Sequence, residues 1–460
     1  MKPATLAAVA EAVGGTLVGG DGTALVSGAS VDSRCVRPGE LFFALRGRVD
    51  GADFAAEAHL RGAVAAVSDR PLQEVPTVVV EDPLAALQEL ARWSLRGIDS
   101  PAVVGITGTV GKTTVKDATE AILRFAGRRV SATAGNFNNE IGLPLTVLAA
   151  DERTEILVLE MGATHKGDIA HLCDIAPPQV GVLTAVSPVH LDSFGSLDDL
   201  AVTKGELAVS LPYTGVLVSP IGAPDAATGP GRTFARRITF GRGPEADLYA
   251  TEISEIESGL SFELHVREEV EEHSVEVKTP VFGTHLVEPL LAATGGALAL
   301  GLSPEECARG LSRLRRTGLR GELYKLRDDI VVYDDSYNAS PAAVAAVLRY
   351  GAEGARSQDR RLVAVLGGMF ELGAEAREYH REAGRLAGEV GVDLLVCVGD
   401  EARWYAEAFS GDVLLYEDAA TAGEGIENEL RGGDYLVVKG SRGVGLDRLT
   451  RKLKERLALV

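Results

Sequence analysis

One short stretch limits the folds open to this chain more than any other. A buried-strand pattern over Ala102 to Thr107 runs into Gly108-Thr109-Val110-Gly111-Lys112-Thr113-Thr114 and continues as a helical pattern to about residue 125. A brief apolar run that breaks at glycines and resumes as a helix is the opening of a parallel strand–helix unit. In that context the glycines let backbone N–H groups converge on phosphate oxygens. Lys112 adds a point charge, and the Thr113 hydroxyl can reach a magnesium ion. The spacing is a shortened one, Gly108-x-x-Gly111-Lys112-Thr113, because Ile106 stands where the longer pattern has its first glycine. The alternative is a chance glycine-rich turn, and the strand before it and helix after it argue against that.

The chain has 460 residues, enough for about three domains at roughly 100 to 200 residues each. Lys plus Arg is 46 against 66 for Asp plus Glu, a net charge of −20, so sequence-independent binding to nucleic acid or anionic lipid is not expected. Anionic ligands must instead meet locally placed cations. The longest apolar runs, such as Leu394 to Val398, fall far short of the roughly 20 residues that span a bilayer. The opening Met1-Lys2-Pro3-Ala4 leads into an apolar stretch broken by Glu11 and Gly14, so export is not expected. The 4 cysteines, Cys35, Cys173, Cys307 and Cys397, are scattered singly, which fits a reducing cytoplasm and suggests neither a zinc site nor disulfides.

The spacing predicts an α/β protein in three parts, with limits 1–98, 99–316 and 317–460. In the first, β-rich runs at Thr23 to Ser27, Leu41 to Leu45 and Thr77 to Val80 precede a helical pattern ending near Trp93. In the second, apolar runs at Ile156 to Leu159, Val180 to Val186 and Gly215 to Val218 alternate with helices near 113–125 and 199–210, the pattern of a parallel sheet covered on both faces. Between Asp247 and Thr279 residues alternate, as in Leu260-Ser261-Phe262-Glu263-Leu264, which predicts an antiparallel excursion. The acidic run Glu268 to Glu272 reads as a solvated strand or turn. Beyond the basic linker Arg313 to Gly321, strands at Ile330 to Tyr333, Leu362 to Leu366, Leu394 to Val398 and Tyr435 to Val438 recur between helical patterns.

Ligands of open parallel sheets gather at the carboxyl ends of the strands. Glu160 ends such a strand and could hold magnesium opposite Thr113, or simply cap a helix. His190, after the next strand, could be functional or structural. Arg320 is either a surface arginine or a guanidinium swung onto phosphates when the domains close. Asp334-Asp335-Ser336-Tyr337-Asn338 could bond a ribose or phosphate, or form a plain turn.

Together these segments resemble the Mur ligase family over essentially the whole chain. The family's phosphate loop is similar to Thr107-Gly108-Thr109-Val110-Gly111-Lys112-Thr113-Thr114. Its acidic magnesium position resembles Glu160, its His and modified Lys resemble His190 and Lys204, and its linker arginine resembles Arg320. The branch that adds D-alanyl-D-alanine is the nearest likeness. It is carried by Gly135-Asn136-Phe137-Asn138-Asn139-Glu140-Ile141-Gly142, by Asp335-Ser336-Tyr337-Asn338-Ala339-Ser340-Pro341 and by Met369-Phe370-Glu371-Leu372-Gly373 with His380-Arg381. The segment from Val31 to Phe42 is similar to the family's UDP-sugar-binding domain. The chain departs from the family pattern at Leu286 and Glu288, at Ser219-Pro220 and at Gly368.

The resemblance implies a small N-terminal α/β UDP-sugar domain, a central ATPase domain with a P-loop-type parallel sheet, and a C-terminal Rossmann-like domain. It implies ATP and magnesium as cofactors, with Thr113, Glu160, His190 and Lys204 as metal holders. It assigns Asp335, Tyr337 and Asn338 to ATP, and Ser33, Arg34, Arg46, Asn138 and Asn139 to the substrate. The implied activity is ATP-dependent addition of D-alanyl-D-alanine to a UDP-N-acetylmuramoyl-tripeptide by a cytoplasmic monomer. The alternatives are a ligase of the same family with another amine acceptor, and a nucleotide-binding protein that ligates nothing.

Overall fold

The computed structural model describes residues 1–187, 194–229, 233, 235–267, 271–315 and 319–457. In strand Ile156–Glu160, near one edge of the central sheet, every side chain is buried. Ile156 and Val158 pack with Val115, Ala118 and Ile122 of helix Lys112–Phe125. Leu157 and Leu159 point the other way, into a cluster with Leu143, Val147 and Leu172. Strand side chains alternate between faces, so an unbroken apolar run means that both faces are covered.

The central sheet has 9 strands, in the order Glu272–Thr279, Gly259–Arg267, Leu248–Ile256, Arg236–Gly241, Val216–Pro220, Val180–Leu183, Ala102–Thr107, Ile156–Glu160, Val130–Ala132. Pairing is parallel from Val130–Ala132 as far as Leu248–Ile256 and antiparallel beyond, so the expected excursion after Asp247 is present. Of the acidic run, residues 268–270 lie outside the described residues, and Glu272 opens the last strand.

The N-terminal sheet has 5 strands, ordered Thr16–Val18, Thr77–Val79, Ala65–Ser68, Glu40–Phe43, Gly28–Ser30. The strand expected over Thr23 to Ser27 is split. Leu25–Val26 pairs with Ala4–Thr5, Gly28–Ser30 joins the larger sheet, and the Ser27 N–H between them donates to Gly39 O. Helix Pro83–Arg96 starts where the Asp82 carboxylate accepts the Leu84 N–H and Pro83 takes the first helical position. Its Leu87 and Leu90 share one apolar cluster with Leu41 and Phe43 beneath and with Leu143, Leu157 and Leu159 of the central unit. The first two units therefore have a common core.

The C-terminal sheet has 6 strands, ordered Glu322–Lys325, Val331–Asp334, Tyr435–Lys439, Leu362–Gly367, Leu394–Val398, Asp412–Tyr416. Only the first pair is antiparallel. Its two faces carry separate apolar clusters, and among the described residues Phe282 is the one member contributed from before residue 319. The chain order of the strands reverses beside Tyr435–Lys439, so the loops after Val331–Asp334, Leu362–Gly367 and Tyr435–Lys439 border a topological switch point.

Candidate active site

Strand Ala102–Thr107 lies between Val180–Leu183 and Ile156–Glu160, and its carboxyl end opens into the glycine loop. Gly108 has φ 144°, and a Cβ there would lie 2.1 Å from Thr184 Oγ1, so only glycine fits. The Thr184 hydroxyl donates to Val110 O at 2.5 Å, and the Thr109 and Ser187 hydroxyls are 2.8 Å apart. The neighbouring strand end thereby fixes the loop. Helix Lys112–Phe125 follows left-handed Gly111 and has no side-chain cap, so its first N–H groups are available to an anion. Lys112 Nζ folds back over the loop, donating to Gly108 O at 2.9 Å and Thr109 O at 3.3 Å. Burial pushes its pKa down, while the Glu160 carboxylate pulls it back up.

Glu160 is 3% exposed and meets groups from three directions. Its carboxylate accepts from Thr113 Oγ1 at 2.8 Å and Asn138 Nδ2 at 2.9 Å, and its backbone N–H donates to Thr133 Oγ1 at 2.9 Å. A hydroxyl and a carboxylate oxygen brought together in this way are the hard donors magnesium prefers. Arg320 arrives from the linker side, with Nη2 donating to Thr113 Oγ1 at 3.1 Å and its guanidinium 3.9 Å from the centre of the Tyr337 ring. The stacking fixes the direction of the arginine, and the Tyr337 N–H donates to Leu319 O at 3.1 Å.

Asp335 and Asn338 are tied through Lys439, a residue that motif reading passed over. Lys439 Nζ pairs with Asp335 Oδ2 at 2.6 Å and donates to Asn338 O at 2.5 Å and Asp335 O at 3.1 Å. The only available signal was a lysine at the carboxyl end of an otherwise apolar strand. On the opposite side of the loop, a Cβ on Gly111 would lie 3.5 Å from Pro289. Glu288, beside it, pairs with Arg242 at 3.0 Å, and His285 is half-buried, with its pKa pushed down to about 4 by desolvation.

A cavity of about 290 Å³ adjoins the loop, lined by Lys112, Asn138, Asn139, Asp168, His171 and Lys204 among others. Lys204 is 3% exposed, and its pKa is pushed down to about 7, first by burial and then by the charge of Lys112. His190 lies outside the described residues. Ser33, Arg34 and Arg46 engage carboxylates of the N-terminal unit: Glu57 at 2.7 Å, Asp32 at 2.7 Å, and Asp69, respectively.

Three family models match the chain in succession: "Mur ligase family, catalytic domain" over residues 25–94, "Mur ligase middle domain" over 106–297, and "Mur ligase, glutamate ligase domain" over 319–442. Among curated proteins, the UDP-N-acetylmuramoyl-tripeptide--D-alanyl-D-alanine ligase of Bacillus subtilis (strain 168) is 34% identical, the alignment covering 98% of each chain. Its namesake from Escherichia coli (strain K12) is 32% identical over 99% of each. Among solved structures, MurF from Acinetobacter baumannii superposes with a TM-score of 0.87 at 28% identity, covering 99% of this chain and 100% of that one. MurF ligase from Thermotoga maritima in complex with ADP gives 0.80 at 30% identity, covering 94% and 99%.

Proposed function

The chain belongs to the Mur ligase family, and from that premise we propose that it uses ATP to join D-alanyl-D-alanine to a UDP-N-acetylmuramoyl-tripeptide during peptidoglycan precursor synthesis. The observation that carries the reading most directly is end-to-end similarity to ligases of that name, together with a phosphate loop whose Thr113 receives Arg320 from 207 residues away.

A carboxylate is a resonance-stabilised anion without an acceptable leaving group, so an amine does not displace its oxygen in neutral water. In the proposed reaction the terminal carboxylate of the tripeptide attacks the γ-phosphorus of ATP. The bond to the β-phosphate oxygen breaks, ADP leaves, and an acyl phosphate results. The dipeptide amine then attacks the acyl carbon. The tetrahedral intermediate expels phosphate, and the nitrogen gives up a proton to complete the amide. Two anions must meet in the first step. Lys112 on the loop and Arg320 over it supply the positive charge this acidic protein otherwise lacks. The Thr113 hydroxyl and Glu160 carboxylate suit a magnesium ion, with His190 and a carbamylated Lys204 as holders of a second; when bound, magnesium neutralises charge on the phosphate oxygens.

The proposed division of labour follows the limits 1–98, 99–316 and 317–460. Ser33, Arg34 and Arg46 of the first unit, with Asn138 and Asn139, face the UDP-linked substrate. Asp335, Tyr337 and Asn338 face ATP from the third. The shared core of the first two units makes the third the moving part, and its closure keeps water from the acyl phosphate. The residues proposed for the site all belong to one chain, and on that reading we infer a monomer. Among the described residues no helix is long and apolar enough to cross a membrane, and with a soluble nucleotide-linked substrate the reading places the enzyme in the cytoplasm.

The deciding experiment offers the protein ATP, magnesium, a mixture of UDP-linked tripeptides and a panel of amino acids and dipeptides, with products identified by mass spectrometry. A UDP-linked pentapeptide ending in D-alanyl-D-alanine, formed with one phosphate per amide, is the expected product. Phosphate release that ignores the amine, or preferential coupling of a different acceptor, overturns the assignment.

Asp335→Ala bears on the third unit alone. It leaves the buried Lys439 ammonium with only the carbonyls of Asp335 and Asn338 and loosens the segment that carries Tyr337. The kcat/KM for ATP is expected to fall by about 10- to 100-fold, while calorimetric binding of the UDP-linked tripeptide stays as in the parent. Unchanged ATP kinetics would reduce this segment to a turn.

A further inference from the structure

Between the central and C-terminal units, apolar packing is thin and polar contacts are unusually well placed. Tyr333, fully buried in strand Val331–Asp334, donates its hydroxyl hydrogen across the boundary to Phe282 O at 3.2 Å. Two left-handed glycines crowd the Tyr333 hydroxyl oxygen. A Cβ on Gly283, φ 107°, would lie 2.9 Å from it, and a Cβ on Gly321, φ 65°, would lie 3.0 Å from it. One of these glycines belongs to the central unit, and the other directly follows Arg320. A second tie runs alongside, with Tyr350 Oη donating to Glu255 Oε2 at 3.1 Å and Glu255 Oε1 accepting the Gly283 N–H at 2.8 Å.

A phenylalanine at 333 would fill the same core volume. A buried hydroxyl adds a desolvation cost that only hydrogen bonding offsets, and both atoms it bonds, Phe282 O at 3.2 Å and His285 Nε2 at 3.5 Å, lie across the boundary. Apolar contact is not directional, whereas a hydrogen bond held between two close backbone segments fixes an angle. We propose that the Tyr333 hydroxyl is a positioning group, pegged between Phe282-Gly283 and Gly321, that sets the orientation of the C-terminal unit and so the angle at which Arg320 meets Thr113. The inference rests on the ligase reading for the role of Arg320, but the peg itself is a property of the fold. Gly321 stands one residue from Arg320, and Leu319, one residue before it, accepts the N–H of Tyr337, on whose ring the arginine stacks. A small rotation at the peg therefore moves the guanidinium and its stacking partner together.

The test separates the peg from the chemistry. Leu60 and Leu415, 89% and 55% exposed on the first and third units, are replaced by cysteine and spin-labelled in a Cys35→Ser background, and the distance distribution is measured without nucleotide. Tyr333→Phe is expected to broaden that distribution. In the unlabelled chain it is expected to lower kcat by about tenfold or more with KM for the UDP-linked tripeptide nearly unchanged, as fits a misplaced reacting group rather than lost substrate binding. Tyr350→Phe, which cuts the second tie and leaves Tyr333 in place, should move both readouts the same way by less. It carries the test if Tyr333→Phe fails to fold. A distribution identical to the parent's overturns the peg, whatever the rate. A broadened distribution with unchanged kcat upholds the peg and counts against the role given to Arg320.

Discussion

Lys112→Ala is expected to lower ligation by about 100- to 1000-fold while the protein unfolds at nearly the parent temperature. The rate loss is that of removing one well-placed cation from a phosphoryl-transfer site, on the order of 3 to 4 kcal/mol. Preservation of the fold follows from where the side chain ends. Lys112 Nζ bonds the carbonyls of Gly108 and Thr109, in a loop already held by Thr184 and Ser187, and among the described residues no side chain loses a hydrogen bond by its removal. Burial already works against its charge when phosphate is absent. The ammonium is thus a cost to the free protein that the Glu160 charge offsets only in part and an anionic ligand offsets further, and deletion should be close to neutral. Phosphate-release kinetics and thermal melting followed by circular dichroism check both halves. Near-normal turnover would sink the nucleotide site at this loop, and a collapse of the melting temperature would show Lys112 to be a structural lysine.

The parts of this site legible in the sequence are those fixed locally. Glu160 could be found because an apolar run covered on both faces must end somewhere, and the carboxyl end of a parallel strand is where ligands collect. The glycine loop announced itself through Gly108 and Gly111, whose backbone angles and close contacts other residues do not tolerate. Edge strands were harder. Val130–Ala132 and Asp412–Tyr416 are short or partly exposed, so their patterns are weak. Contacts that join distant segments left no local trace. Arg320 reads as a surface arginine until Thr113 and Tyr337 are seen around it, and nothing near Lys439 forecasts its grip on Asp335 and Asn338. The division of the chain into three units was visible, but not that Leu87, Leu143 and Leu159 would pack in one core, because alternation shows that a face is buried without showing against what.

Lys204 is the extreme case of that blindness. On its own helix, Leu197–Ser210, a lysine's charge argues for solvent, yet Lys204 is among the most buried lysines of the described residues, on the face of Leu200 and Leu207 and lining the same cavity as Lys112, Asp168 and His171. Burial and the Lys112 charge push its pKa down to about 7, so near neutral pH a large share of the amine is uncharged. An uncharged amine can attack carbon dioxide. The N–C bond forms, the displaced carbon–oxygen electron pair moves to oxygen, and nitrogen loses a proton. A cation with no lone pair to offer becomes a carbamate with hard oxygens, beside a second cation, Lys112, that such an anion would balance. The expected result is that Lys204→Ala loses activity on the order of 100-fold and that short carboxylates such as formate or acetate restore part of it by occupying the vacated oxygen positions. The modification can be read without turnover, as a new carbonyl carbon resonance from isotopically labelled bicarbonate that is absent in Lys204→Ala. The pH dependence has a definite sign. Between about 7 and the ordinary lysine value of 10.5, the unfolded chain holds a proton at this position that the folded chain lacks, so the stability of the parent relative to Lys204→Ala should rise with pH across that window. Carbon dioxide bound as carbamate extends the same trend to lower pH, because it too takes the protonated form out of the folded state. An unmodified Lys204 in the active protein under bicarbonate, or a variant that carboxylates fail to rescue, would leave a buried lysine whose role is to balance the charge of the cavity rather than to become an anion within it.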